Sequence, residues 1–171
     1  MTIYSIPVSI ARSAIETYFI TGEHLVYNGE IPVDIRKRSG VFVCLKIEGD
    51  LRGCIGTIEP VTDSVAEEIV KNAISSATKD PRFSPVRADE INRLSYSVDI
   101  IGSPELVNSV LELDPKRYGV IVSHDKARGL LLPDLEGVET SEQQIEIALG
   151  KAGIPNASDF DIYRFEVKRY T

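Results

Sequence analysis

The six residues LRGCIG, Leu51 to Gly56, set a cysteine between glycines and two positions from an arginine, in a chain whose two cysteines are Cys44 and Cys54. The thiolate is the reactive form of cysteine, and a neighbouring cation, or backbone amides left free by a turn, lowers its pKa from about 8.5 towards 7 or below. If Leu51 to Ile58 is extended, Arg52 and Cys54 point to one face roughly 7 Å apart. Gly53 and Gly56 then let another backbone or a ligand approach closely. Such a pattern can hold a small anionic or carbonyl substrate on Arg52 and attack it with Cys54. The competing reading makes Cys54 a small buried hydrophobe and the glycines the mark of a bulge. Register divides the cases further: a two-residue Gly49-Asp50 turn sets Cys54 opposite Leu45 on an apolar face, whereas a three-residue turn sets it opposite Cys44, as a redox or metal pair.

DPRFSP, Asp80 to Pro85, is a structured turn in which Asp80 and Arg82 can orient each other or a substrate, with Phe83 beneath. Its bland alternative is a turn cap at Asp80 and a solvated or structurally paired Arg82. The imidazoles are His24 and His124, the latter at the tip of a predicted hairpin. Metal sites are not indicated, because the sequence has no C-x-x-C, H-E-x-x-H or EF-hand loop. Gly150-Lys151-Ala152 lacks the remaining features of a P-loop and no G-x-G-x-x-G occurs, so no nucleotide cofactor is expected.

The elements that must position these residues follow from periodicity. Pro7 in a first turn, apolar residues at Val8, Ala11, Ile15 and Tyr18 or Phe19, and Gly22 predict a helix from about 7 to 21. Residues 27–39, with the basic cluster Arg36, Lys37 and Arg38, read as an exposed connection. GVFVCLKI and LRGCIGTI form a hairpin. Asp63 to Lys79 is a helix with Ser64 and Glu67 spaced as a capping box, stopped ahead of Pro81. Leu94, Tyr96, Val98 and Ile100 alternate with polar residues as in a half-buried strand. YGVIVS and GLLLP, separated by HDKAR, form a second hairpin. Thr140 with Gln143 caps a helix ending at Gly153, and FDIYRFEVKRY is a final strand returning to the main sheet. Mixed helices and strands without a strict βαβ rhythm give an α+β protein with mostly antiparallel sheet and flanking helices.

Composition sets the outer limits. With 171 residues, one domain is expected, with room for a smaller lobe. A net charge of −7 works against phosphate backbones, so nucleic acid is not an expected partner. No apolar run approaches the roughly 18 residues of a membrane span, and nothing resembles a signal peptide, so a cytoplasmic protein with free thiols is expected.

LRGCIGT preceded by GVFVCL, then DPRFSP, LSYSVDIIG, GLLLP and KAGI, resemble in order, from about Gly40 to Phe165, the AMMECR domain of eukaryotic, archaeal and bacterial proteins. The resemblance implies a compact α+β protein with two unequal subdomains and a cleft between them. It implies likeness to protein A of the prokaryotic AmmeMemoRadiSam system, encoded beside a Memo-like protein and a radical SAM protein. It carries no settled reaction. The family's RGC segment, here Arg52, Gly53 and Cys54, has been taken as an active or binding site, and its DPRF segment maps onto Asp80, Pro81, Arg82 and Phe83. In many members a glutamine follows the proline of the LLP motif and a tryptophan comes soon after; here Asp134 takes the first place and the chain contains no tryptophan.

Two functions are therefore expected in competition. In one, an enzyme or enzyme component uses Cys54 beside Arg52, with Asp80 in the catalytic group and Gly53, Gly56, Thr57, Arg82 and Phe83 around the substrate. In the other, a non-catalytic adaptor binds a Memo-like protein or a radical SAM enzyme, and LRGCIG is a turn or docking groove.

Overall fold

In the computed structural model, which describes residues 4–155 and 159–171, the chain divides into two compact units, Met1–Ile101 with Lys168–Thr171, and Gly102–Val167. The α+β class with antiparallel pairing holds in both. No helix of the described residues is long and apolar enough to cross a membrane.

Helix α1, Ile6–Thr21, carries Pro7 in its first turn and ends at Gly22, whose left-handed φ of 76° lets its N–H reach Tyr18 O. Strands β1, Val41–Ile47, and β2, Asp50–Gly56, are joined by Glu48 and Gly49, both at positive φ, as a tight two-residue hairpin turn demands. The turn is thus one residue earlier than Gly49-Asp50. Helix α2, Val65–Thr78, starts on Ser64, whose hydroxyl accepts from Glu67 N, and stops before Pro81. Strand β3, Leu94–Ile101, pairs with β1.

The second unit holds β4, Glu105–Leu106; β5, Gly119–His124; β6, Ala127–Leu131; helix α3, Ser141–Ala152; and β7, Asp161–Phe165. Thr140 and Gln143 cap α3 reciprocally. Its sheet runs β4-β7-β5-β6, covered by α3 over a core that includes Val120, Val122, Leu131, Ile145 and Leu149. The final segment is not one strand. It breaks at Glu166, so that β7 serves this sheet while β8, Val167–Tyr170, closes the first one, ordered β2-β1-β3-β8.

In the first unit, alternation decides which face is which. Val41, Val43 and Leu45 of β1, with Tyr96, Val98 and Ile100 of β3, point into a core filled by α1 and α2. Cys44, Lys46, Ser95 and Ser97 alternate with them onto the other face. Arg36, Lys37 and Arg38 are exposed as expected, although the same connection folds Ile35 into the core.

The β1–β2 pair is irregular. Lys46 faces Leu51 but Leu45 faces Gly53, so Arg52 is the extra residue of a bulge, and beyond it Cys44 lies directly opposite Cys54. Neither simple turn register covers this case: the turn has two residues, and the bulge supplies the shift of one. The glycine after the bulge admits α2, since a Cβ on Gly53 would lie 2.1 Å from Ser76 O. Gly53→Ala is therefore expected to force α2 off β2 and cost roughly 1–3 kcal/mol in chemical denaturation. Gly150→Ala, in a helical position where a Cβ meets nothing within 4 Å, is expected to be neutral or to gain a few tenths of a kcal/mol.

Candidate functional site

Four polar side chains that recur every fourth residue, Glu68, Asn72, Ser76 and Asp80, are all buried and define how LRGCIG is held. The first three share a face of α2 because a four-residue step is just over one helical turn; Asp80 extends the row just past the helix end. Asn72 Nδ2 donates to Val41 O at 2.9 Å and Thr57 Oγ1 at 3.1 Å. The Ser76 hydroxyl accepts from Ile55 N at 2.8 Å and donates to Val43 O at 2.7 Å, so it sits within the β1–β2 ladder where a direct backbone bond would otherwise form. Asp80 Oδ2 accepts from Cys54 N at 2.8 Å.

Glu68 is fully buried, and none of its hydrogen-bond donors among the described residues is a cation. Its carboxylate instead accepts from Thr57 Oγ1 at 2.6 Å, from Thr62 Oγ1 at 2.7 Å, and from the amides of Val61 and Thr62 at 2.9 Å. Burial pushes its pKa up, but these donors outweigh burial and hold it below the ordinary value. Thr57, expected at the substrate, is one of those donors.

Arg52 does not act on Cys54. The bulge re-aims it, and its guanidinium forms a two-pronged pair with Glu90, Nε to Oε1 at 2.9 Å and Nη2 to Oε2 at 3.0 Å, while Nη1 and Nη2 reach the carbonyls of Ser84 and Pro85 at 2.9 and 3.2 Å. Both side chains are about 15% exposed, so this is a sheltered pair. The hydrogen bonds from Arg52, reinforced by the Arg87 amide, hold the Glu90 carboxyl down at about 2. Arg52 is thus bound to structural partners rather than poised for an anion.

The cation next to Cys54 is Arg82. Its Nη2 donates to Cys54 O at 3.3 Å, its Nε and Nη2 bond Asp80 at 3.0 and 2.7 Å, and its guanidinium lies 5.5 Å from the centre of the Phe83 ring. Arg82 is 56% exposed, and its Nη1 has no hydrogen bond among the described residues. Asp80 accepts from Arg82 through both oxygens, and this keeps its carboxyl well below the usual carboxylate range. So weak a base, with both oxygens engaged, is an anchor for Cys54 and Arg82.

Free thiols were expected; instead Cys44 and Cys54, half-buried on the sheet face turned from the helices, form a disulfide. The bulge gives the reason, since it aligns the two cysteines at a position where Cys54 N and O turn outward to Asp80 and Arg82. Gly56, expected to leave room for a ligand, is covered by the Phe42 ring. No group of histidine, cysteine and acidic residues able to hold a metal occurs among the described residues, and His124 is partly exposed beside Asp125 at its hairpin tip. Sequence reasoning missed Glu90, which lies in the 3-10 turn Ala88–Arg93, and missed Glu68, Asn72 and Ser76, whose signal was the four-residue spacing within the predicted helix.

Two acid-limb predictions follow from the depressed carboxyls. Their stabilisation is complete above the unfolded values near 4 and is lost as pH falls through the folded ones, so stability is expected to drop from about pH 4.5 to 2 and below. Arg52→Ala is expected to cost about 1–3 kcal/mol at neutral pH and to flatten that limb in urea titrations, because Glu90 loses its partner. Arg87→Ala, which breaks an exposed pair with Asp89, is expected to leave stability nearly unchanged.

The AMMECR1 family model matches residues 8–170. Protein CA_C1420 of Clostridium acetobutylicum is 50% identical over 168 residues, which are 95% of this chain but 35% of that protein, so the chain spans about a third of that relative's length. A protein of Thermotoga maritima is 50% identical over 163 residues, 94% of each chain. The crystal structure of the uncharacterized protein PH0010 from Pyrococcus horikoshii is similar with a TM-score of 0.86 at 32% identity, covering 95% of this chain and 88% of that one. Matched along nearly its whole length in sequence and in fold, the chain belongs to the AMMECR1 family.

Proposed function

We propose that the Cys44–Cys54 pair is the working group of an enzyme or enzyme component, with Cys54 the nucleophile once the disulfide has been reduced to two thiols. The observation that carries this reading is the bulge at Arg52, which adds one residue to β2 and so brings the chain's two cysteines face to face. In the oxidised form a thiolate from a small-molecule or protein thiol attacks one sulfur, making a mixed disulfide and expelling the other cysteine as a thiolate that takes a proton. A second thiolate attacks the mixed disulfide, the reductant leaves as its own disulfide, and both cysteines end as thiols. In the reduced form the Cys54 thiolate adds to the carbonyl carbon of a small anionic substrate, the C=O π pair moves to the oxygen, which takes a proton, and Arg82 takes the anion-holding part first expected of Arg52.

A second reading has its own support. With Arg52 and Asp80 engaged by partners within the chain, LRGCIG has an architectural explanation, and the protein is then a non-catalytic adaptor for a Memo-like protein or a radical SAM enzyme of an AmmeMemoRadiSam system. Either role belongs to the cytoplasm, where the pair rests reduced.

Mass spectrometry of the folded protein in thiol and disulfide buffers separates the two. The enzyme reading expects reversible reduction without unfolding, and alkylation of reduced Cys54 several-fold faster than Cys44 below pH 7.5, slowed in Arg82→Gln and unchanged in Arg87→Ala. Cysteines that exchange only when the protein unfolds overturn it, and complex formation surviving Cys54→Ser then supports the adaptor.

A further inference from the structure

A concave site lies wholly in the unit Gly102–Val167, on residues that LRGCIG does not involve. Its volume is about 420 Å³, within the roughly 300–1,000 Å³ range of small-molecule sites. Its walls carry two arginines and two glutamates in alternate pairs, Arg117 with Glu166 at 2.8 Å and Arg164 with Glu105 at 3.1 Å, and both guanidiniums lie over the Tyr118 ring, 4.9 and 4.7 Å from its centre.

The platform is fixed from behind. Tyr118 N donates to Asp114 O at 2.7 Å, Tyr118 O accepts from the fully buried Gln144 at 2.8 Å, and Arg164 Nη1 is tied to Glu112 O at 2.9 Å. The rim, in contrast, has unused capacity. Arg117 gives only Nε to Glu166, which leaves both terminal nitrogens without a hydrogen bond among the described residues. Arg164 takes only one oxygen of Glu105, and Arg117 only one oxygen of Glu166. Arg117, Glu166 and Glu105 are each more than half exposed, and ion pairs so exposed add little to stability. Stability therefore does not account for two such pairs around one aromatic ring.

We propose that this cavity binds a small zwitterion of the amino-acid or dipeptide type. The ligand carboxylate takes the open fork of Arg117, and its ammonium takes the free oxygens of Glu166 and Glu105. The alternation of charge supplies the selectivity: two carboxylates repel a dianion, two guanidiniums repel a polyamine, and a ligand with one charge of each sign meets both halves.

The test uses three matched probes at pH 7 on the full chain, followed by NMR at the Arg117 side-chain N–H and the Tyr118 and Gly119 amides. Diglycine is a zwitterion, N-acetyl-diglycine an anion and diglycine amide a cation. Saturable shifts with diglycine are expected, with both blocked peptides about tenfold weaker and Arg117→Gln about tenfold weaker for diglycine. Because Arg117 is largely exposed, the variant is expected to keep the wild-type spectrum elsewhere, which separates lost binding from lost folding. Non-saturating shifts, equal binding of either blocked peptide, or undiminished binding by a folded Arg117→Gln overturns the proposal.

Discussion

The burial of Glu68, Asn72, Ser76 and Asp80 is the constraint on which the first unit depends. A buried polar group without a partner costs about 1–3 kcal/mol, so four of them in a row are tolerable only if each is satisfied. They are satisfied by the backbone and side chains of β1, β2 and the segment after β2. The helix therefore does more than cover the sheet with apolar surface, because its side chains complete the sheet's own hydrogen bonding. That arrangement accounts for Gly53, because β2 must lack a side chain where the helix backbone approaches.

The same row fixes what LRGCIG can do. Arg52 is turned toward Glu90, Cys54 is held by its amide on Asp80 and by its carbonyl on Arg82, and the sulfur is left on the opposite face of the sheet, against Cys44. Charge and sulfur lie two positions apart in sequence but are assigned to different tasks by one extra residue. The arginine that stays half exposed beside the cysteine comes from DPRF, twenty-eight positions further along.

Much of the fold could be read from the sequence, because local physics governs it. The start and end of α1, the serine and threonine caps of α2 and α3, and the alternation of β3 depend on neighbours within a few residues. What could not be read depends on distant partners. Glu68, Asn72 and Ser76 look like solvent-facing polar residues until β2 is laid beside them. The Cys44–Cys54 register turns on a bulge that turn chemistry does not encode, and FDIYRFEVKRY keeps its alternating pattern although Glu166 divides it between two sheets. Of the candidate site, DPRF does lie against LRGCIG, through Asp80 and Arg82 at the Cys54 backbone, whereas the pairing of Arg82 rather than Arg52 with Cys54 has no signal in the sequence.

The Asp80–Arg82 pair also determines how the sheet ends. Strand β2 is an outer strand, and such strands invite another chain to add on through their free amides and carbonyls. At Cys54 the carboxylate of Asp80 accepts the outward N–H and the guanidinium of Arg82 donates to the outward carbonyl, which is the acceptor and donor pattern a neighbouring strand would present. Two charged side chains thus imitate one residue of a missing strand, and the imitation cannot be extended, because it offers no backbone for a further strand to join. The sheet is finished at that edge, and self-association by strand addition is blocked at its centre.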